Sequence, residues 1–429
     1  MGPTQLNQDL VLPCGLTAPN RIAKAAMTEG LAEPGGRAGE RIARCYGTWA
    51  RGGAGLLITG NIMVDRRYRE RPANVVVDGP QNEQQRAGLA AFAEAAKAGG
   101  GLAVAQISHA GRQSPKSIAP EPVGPSAVKV KLPGGLFGTP RALTDEEILD
   151  VIDRFATTAF ELCRAGFDGV QVHAAHGYLV SEFLNPRINR RDDRWGGSLA
   201  NRARLLLEVV RAVRDAIGPH KALSIKLNSS DFQKGGFSFE DCLAVIDLLH
   251  GEGVDLLEIS GGNYEQPRMM GLEGLEPVFD DAVRETTRAR EAYFMAYAEK
   301  VLETARMPIM VTGGFRSRAA MDEAIDAGVS MIGVGRPLCI HPDAPKRLLE
   351  DALDELPAYE RRLRLGPGWL GPRSPNDTIK AANGLASMAF FYRNILRMAD
   401  GAPTDGTMNP FIALIRHQLQ ETRDARRFR

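Results

Sequence analysis

The chain has 429 residues, 44% of them hydrophobic and 24% charged, which is ordinary for a soluble globular protein able to bury a large core. Its 53 Lys and Arg nearly balance 52 Asp and Glu, and the net charge of +1 supplies no field to draw nucleic acid or an anionic membrane surface. No run of about 18 apolar residues occurs, so no membrane span is expected.

From about residue 20 to residue 355, short apolar runs alternate with amphipathic helical patterns. In chain order, strand Ile22–Met27 precedes helix Glu40–Arg51, Gly55–Val64 precedes Gln81–Ala98, and Leu102–Ser108 precedes Thr144–Ala165. Strand Asp168–His173 then precedes helix Leu199–Ile217, Ala222–Asn228 precedes Phe239–Glu252, and Asp255–Ser260 precedes Thr286–Ala305. The last pairs are Pro308–Thr312 with Ser317–Ala327 and Met331–Val334 with Asp343–Leu353. Eight strands each followed by a helix predict an α/β fold of the (β/α)8 TIM-barrel type. An open doubly wound sheet would need a GxGxxG turn after an early strand, and none is there. Thr144 with Glu147 reads as a capping box, and Ser238 with Asp241 as a weaker one. Gly166, Gly218 and Gly328 stand where helices should stop.

Two long connections follow predicted strands three and six: Gly111–Arg141, rich in Pro and Gly, and Gly261–Glu285. Both leave strand C-termini, where barrel enzymes build active sites. Composition changes after about Arg364. Residues 1–365 are therefore assigned to the barrel and 366–429 to a C-terminal helical extension, with helices near Asp377–Ala399 and Asn409–Arg423. The extension is read as a tail or arm packing on the barrel or on a neighbouring subunit of a homo-oligomer. The start, Met1–Asn20, lacks a basic segment leading into an apolar core, so no signal peptide is expected. Cys14, Cys45, Cys163, Cys242 and Cys339 are scattered, which fits a cytoplasmic protein and makes neither a CxxC pair nor an iron–sulfur run.

The segment after predicted strand four, Gln171 to Arg202, carries the most chemistry. His173 and His176 flank two alanines, and Gly177-Tyr178 follows. Two imidazoles at a strand mouth can donate to a carbonyl or nitro oxygen and stabilise enolate-like charge. A phenol, with a pKa of about 10, is protonated at neutral pH and can act as a general acid. Metal binding is the rival reading of HxxH, but no third ligand such as the Glu of HExxH stands nearby. At the other end of the barrel order, Gly313-Gly314 after strand seven and Gly335-Arg336 after strand eight suit a phosphate. Glycine there lets backbone N–H groups approach an anion, and Arg336 adds a charge-assisted bond.

These segments resemble the Old Yellow Enzyme family of FMN-dependent NAD(P)H oxidoreductases. The likeness rests on HAAHGYL, FLNP, DDRWGGS and NR in one stretch, with PNRIAKAAMT, GLLITGN, AQISHAGR, VTGGFRS and GVGRPL in the family's order, from about Leu10 to Leu353. It implies FMN as cofactor, NADH or NADPH as hydride donor, and a small electrophilic alkene as substrate, with neither nucleic acid nor membrane as partner. On that pattern His173 and His176 hold the substrate's electron-withdrawing group, and Tyr178 protonates the carbon α to it. Ala26 and Met27 line the flavin ring, and the Thr28 hydroxyl meets the carbonyl beside N5. Gly60 and Asn61 replace a commoner acidic-small pair at the end of strand two. Gln106 meets the pyrimidine edge, its other reading being a solvated strand end. Lys226 stands near N1 and O2 where many relatives carry Arg, its other reading being a strand-end Lys in solvent. Gly313, Gly314, Gly335 and Arg336 take the phosphate.

Three departures accompany the likeness. Gly30 stands where one subgroup places a substrate-contacting Tyr, the tail replaces that subgroup's Arg-aromatic finger, and the clustered cysteines of the fused iron–sulfur relatives are missing. Reduction of activated C=C bonds is the leading expectation. Oxidative dehydrogenation or demethylation on the same barrel, and a non-catalytic binding barrel, are the alternatives.

Overall fold

The computed structural model describes residues 5–130, 135–231, 234–260, 272–273, 276–277 and 298–428. Eight parallel strands form the barrel: β1 (Ile22–Lys24), β2 (Leu56–Ile58), β3 (Leu102–Ser108), β4 (Gly169–Ala174), β5 (Ala222–Asn228), β6 (Leu256–Ser260), β7 (Ile309–Thr312) and β8 (Met331–Val334). Each pairs with the next, and β8 returns to β1 through Ile332 opposite Ile22, so the sheet closes. Every residue of these strands is buried. That is the expected cost of lying between an outer helical ring and a packed interior, and it explains why the strands read as apolar runs rather than as alternating ones.

The ring comprises α1 (Glu40–Ala50), α2 (Glu83–Lys97), α3 (Asp145–Arg164), the short α4 (Leu179–Leu184), α5 (Leu199–Ile217), α6 (Phe239–Leu248), helical residues 298–304, α7 (Arg318–Asp326) and α8 (Ala344–Leu349). The Thr144–Glu147 capping box forms with both bonds, and Ser238 accepts from the Asp241 N–H. A second full box, Asn82 with Gln85, starts α2 two residues later than predicted. α6 and α8 are shorter than predicted. After α6 the chain passes Gly251 and Gly253 at φ 83° and 72°, and after α8 it passes Asp351 at φ 58°. A left-handed residue cannot continue a right-handed helix.

The predicted strand Gly55–Val64 is two pieces. β2 ends at Ile58, and Ile62–Met63 pairs separately with the end of β3. Between them Gly60 lies so close to the first strand's exit that a Cβ would fall 2.4 Å from Met27 O and 2.7 Å from Thr28 Cα. Its N–H donates to Glu29 Oε1 at 2.8 Å and to the Tyr46 hydroxyl at 2.9 Å instead of to a ladder partner.

A small antiparallel hairpin, Leu10–Val11 with Thr17–Ala18, plugs the bottom of the barrel. Leu10, Leu12 and Ala18 pack there on Leu56, Leu102, Ala222, Leu256, Met310 and Met331, all at the beginning of their strands. The functional face is therefore the opposite one. The long connection after β3 adds a two-residue parallel pair, Val123–Gly124 with Arg141–Ala142. The connection after β6, Gly261–Glu285, lies outside the described residues except for residues 272–273 and 276–277, which pair with each other.

The extension consists of α9 (Asp377–Ala399) and α10 (Pro410–Arg427). α9 lies along α1, where Arg41 bonds Asp400 at 2.8 Å and Arg44 donates to Ala399 O at 3.0 Å. α10 stacks His417 on Tyr392 of α9, and Arg71, from the loop after β2, sits 4.2 Å from the Tyr392 ring and bonds Glu421. Among the described residues no helix is long and apolar enough to cross a membrane.

Candidate active site at the barrel mouth

Strand register brings polar side chains together across the C-terminal half of the barrel. Gln106 on β3 stands opposite Gln171 on β4, and Lys226 on β5 stands between His173 on β4 and Glu258 on β6. Gln106 donates to Gln171 Oε1 at 2.7 Å, Gln171 donates to Glu258 Oε2 at 2.8 Å, and Lys226 Nζ is 2.7 Å from Glu258 Oε1. Lys226 and Glu258 are 4% and 0% exposed, which removes the solvent-facing reading of Lys226. Gln106 is 2% exposed and is likewise not a solvated strand end. A buried ion pair of this kind needs further partners, and Gln171 supplies one at Oε2 while Oε1 faces Lys226.

Above this row sits the histidine pair. β4 ends at Ala174, and the chain turns through His176 at φ 62° and Gly177 at φ 78°. Among the described non-glycine residues only His176 and Asp351 have positive φ. The turn folds the His176 ring back on His173, with His173 Nε2 and His176 Nδ1 3.0 Å apart. His173 Nδ1 lies 2.7 Å from Asn61 Oδ1, and His176 Nε2 lies 2.8 Å from Ser260 Oγ. Tyr178 caps α4, is 4% exposed, and places its ring 4.7 Å from that of His173.

Burial, with nearby Lys226 adding to it, pushes both imidazoles toward the neutral form: His173 well below the ordinary histidine range and His176 to about 3. The folded state thus declines protons that an unfolded chain takes up below about pH 6.5. Their contribution to stability is complete above pH 6.5 and is lost as pH falls toward 3. Replacing His176 by Asn should flatten the unfolding free energy between pH 6.5 and 4, read by urea titration at a series of pH values. An unchanged slope would contradict the burial argument.

The Tyr178 hydroxyl donates to Glu70 Oε2, and the Thr28 hydroxyl donates to Glu70 Oε1. Asn61 Nδ2 donates to Glu70 Oε2 at 2.6 Å. Thr28, Asn61, His173, His176 and Tyr178, named separately from the sequence, are therefore one connected group with Glu70 at its centre.

On the other side of the mouth, β7 runs into Gly313 and Gly314 at φ 110° and 83°, and β8 into Gly335. Met27 packs against both Gly335 and Cys339, with its Sδ 3.5 Å from Cys339 Sγ. Ala26, partly buried, follows two residues after the end of β1 and packs on the barrel-interior cluster that includes Ala23, Ile58 and Val104. Arg336 and Arg316 converge on Glu360, at 3.7 Å and 2.6 Å. Burial alone would raise the Glu360 carboxyl, but the two guanidinium groups pull it down to about 2. Thr312 Oγ1 is buried there without a hydrogen-bond partner. Two left-handed glycines, a net surplus of cationic charge and an unsatisfied hydroxyl fit an anionic, polyhydroxylated group such as the tail of a flavin nucleotide.

Sequence reasoning passed over Gln171, Glu258, Ser260, Glu70, Arg316 and Glu360. Glu258 carried a signal: it is the lone charge in the strand Leu256–Ser260, as Lys226 is in its own strand. Glu70 carried none, because it sits in a stretch of charged loop residues, RRYRERP.

The model of the NADH:flavin oxidoreductase / NADH oxidase family matches residues 15–355. The NADH-dependent flavin oxidoreductase of Aspergillus parasiticus is 38% identical over 342 residues, covering 76% of this chain and 74% of the relative. The solved structure of morphinone reductase in complex with tetrahydroNAD superposes with a TM-score of 0.64 at 28% identity, covering 81% of this chain and 91% of that one. A 2-naphthoyl-CoA reductase complex has a TM-score of 0.73 at 24% identity, a likeness in fold; it covers 82% of this chain, which spans 53% of that longer one.

Proposed function

Because the chain belongs to the NADH:flavin oxidoreductase / NADH oxidase family, we propose that it is an FMN enzyme that takes hydride from NADH or NADPH and reduces activated C=C bonds, such as those of α,β-unsaturated carbonyl compounds and nitroalkenes. The observation that carries the reading is the convergence of His173 and Tyr178, both buried, and of half-buried His176 on the functional face of the barrel. Residues 1–365 form the flavin-binding unit and 366–429 an extension docked on it. FMN, when bound, supplies the hydride carrier.

The chain's own residues do the rest. Gly313, Gly314, Gly335 and Arg336 hold the phosphate end, with Glu360 keeping both guanidinium groups in place. Gln106 and Lys226 face the pyrimidine edge, and Lys226 provides fixed positive charge there. Ala26, Met27, Thr28, Gly60 and Asn61 line the ring. His173 and His176 orient the substrate's electron-withdrawing group, and Tyr178 delivers a proton to the carbon α to it. In the structure that phenol points its hydrogen at Glu70, so delivery follows a turn of the hydroxyl.

The test is the visible spectrum of the purified protein, followed by anaerobic titration with NADH and with NADPH and then with an enone. A yellow protein bleached by the nicotinamide and recoloured by the enone supports the reading. A colourless protein that cannot take up FMN would overturn it.

A further inference from the structure

Beside the histidine pair stands a carboxylate that, like Glu258 in the row below it, only accepts. Glu70, 8% exposed, receives the hydroxyls of Thr28 and Tyr178, the amide N–H of Asn61 and, at 3.4 Å, that of Asn74 on its two oxygens. Four donors converging on one side chain are the demand of a carboxylate. Its choice propagates. With Asn61 Nδ2 turned to Glu70, Asn61 Oδ1 faces His173 Nδ1, so that nitrogen must carry the hydrogen. His173 is neutral, so its Nε2 is then bare and must accept from His176 Nδ1. His176 is neutral too, so its bare Nε2 accepts from the Ser260 hydroxyl.

We infer that Glu70 is the positioning residue that sets the direction of every hydrogen bond in the histidine pair, holding both His173 and His176 as the Nδ1–H tautomer. Neither ring then keeps an N–H free for a substrate oxygen. A carbonyl entering the site has to take the His176 Nδ1 hydrogen away from His173, and His173 can donate to it only after its own hydrogen moves from Nδ1 to Nε2, whereas the sequence pattern presented both imidazoles as ready donors. That consequence rests on the proposed function; the tautomers themselves do not.

The measurement is long-range proton–nitrogen NMR on the flavin-loaded protein with ¹⁵N-labelled histidine. The chain has seven histidines, and signals of the pair are identified by their loss in His173→Asn and His176→Asn. Both rings should show a protonated Nδ1 and a bare Nε2. A protonated Nε2 on either ring in the unaltered protein overturns the inference, whatever the variants do. In Glu70→Gln the side chain can donate as well as accept, so the Nδ1–H form of His173 should fall to about half or less of the population. Asn61→Leu cuts the link while leaving Glu70 its two hydroxyls, and should give the same loss at His173 if Glu70→Gln does not fold. Tautomers unmoved by either change overturn the role of Glu70. Because the readout needs neither NADH nor substrate, it stands or falls separately from alkene reduction.

Discussion

Replacing Tyr178 by Phe is expected to slow reduction of an activated alkene by about 10²-fold or more while leaving flavin reduction by NADH within about twofold. The substitution is close to isosteric. It keeps the ring, 4.7 Å from that of His173 and buried on Met63, Val76 and Ala110, and it removes only the hydroxyl. Glu70 loses one donor but keeps Thr28 and Asn61. The fold should therefore survive, and the loss should appear in the half-reaction that needs a proton at carbon. Anaerobic stopped-flow measurement of the two half-reactions separates them. Equal slowing of both would remove Tyr178 from the acid role and make it a residue that shapes the mouth. A normal alkene rate would assign the proton to water.

Lys226→Met should destabilise the fold by about 3–5 kcal/mol, because it leaves Glu258 charged, buried and without its cation. For a barrel of this size that corresponds to a fall in melting temperature of roughly 10 °C. Gln171 still donates to Glu258, but a neutral amide does not replace an ammonium group 2.7 Å away. Changing both partners, Lys226→Met with Glu258→Leu, should recover much of the loss, since no charge is then stranded. Thermal unfolding of the three variants, each with flavin bound, checks this. A single variant that melts within about 2 °C of the parent protein would show that the pair is solvated in solution.

The fold was legible in the sequence because the barrel repeats one physical rule. β3, β5, β8, α5 and α9 begin and end as predicted, each bounded by a turn or cap residue that local chemistry demands. Elements lacking such a rule were missed. The hairpin at residues 10–18 is only two residues deep per strand, and α4 is six residues inside a segment read for its chemistry. The break at Thr59–Asn61 interrupts an apolar run without a turn signal that sets it apart, since Gly60 reads equally as a strand residue. In the site, residues with motif neighbours were found one at a time, but their connections were not. Gln171 and Glu258 are 87 positions apart and meet only because the register of β4, β5 and β6 aligns them. Glu70 meets Tyr178 across 108 positions through a loop with no periodicity to read.

Position 176 answers to two demands at once. Its left-handed backbone, shared with Gly177, favours glycine, asparagine, aspartate or histidine, and penalises branched or bulky side chains by about 1–2 kcal/mol before any chemistry is counted. The imidazole row asks for a ring nitrogen at the same place. Few amino acids meet both conditions, so evolution or engineering that seeks a different substrate through this residue has a narrow alphabet to work with. Neighbouring Ser260, on ordinary strand backbone at the end of β6, is the freer letter.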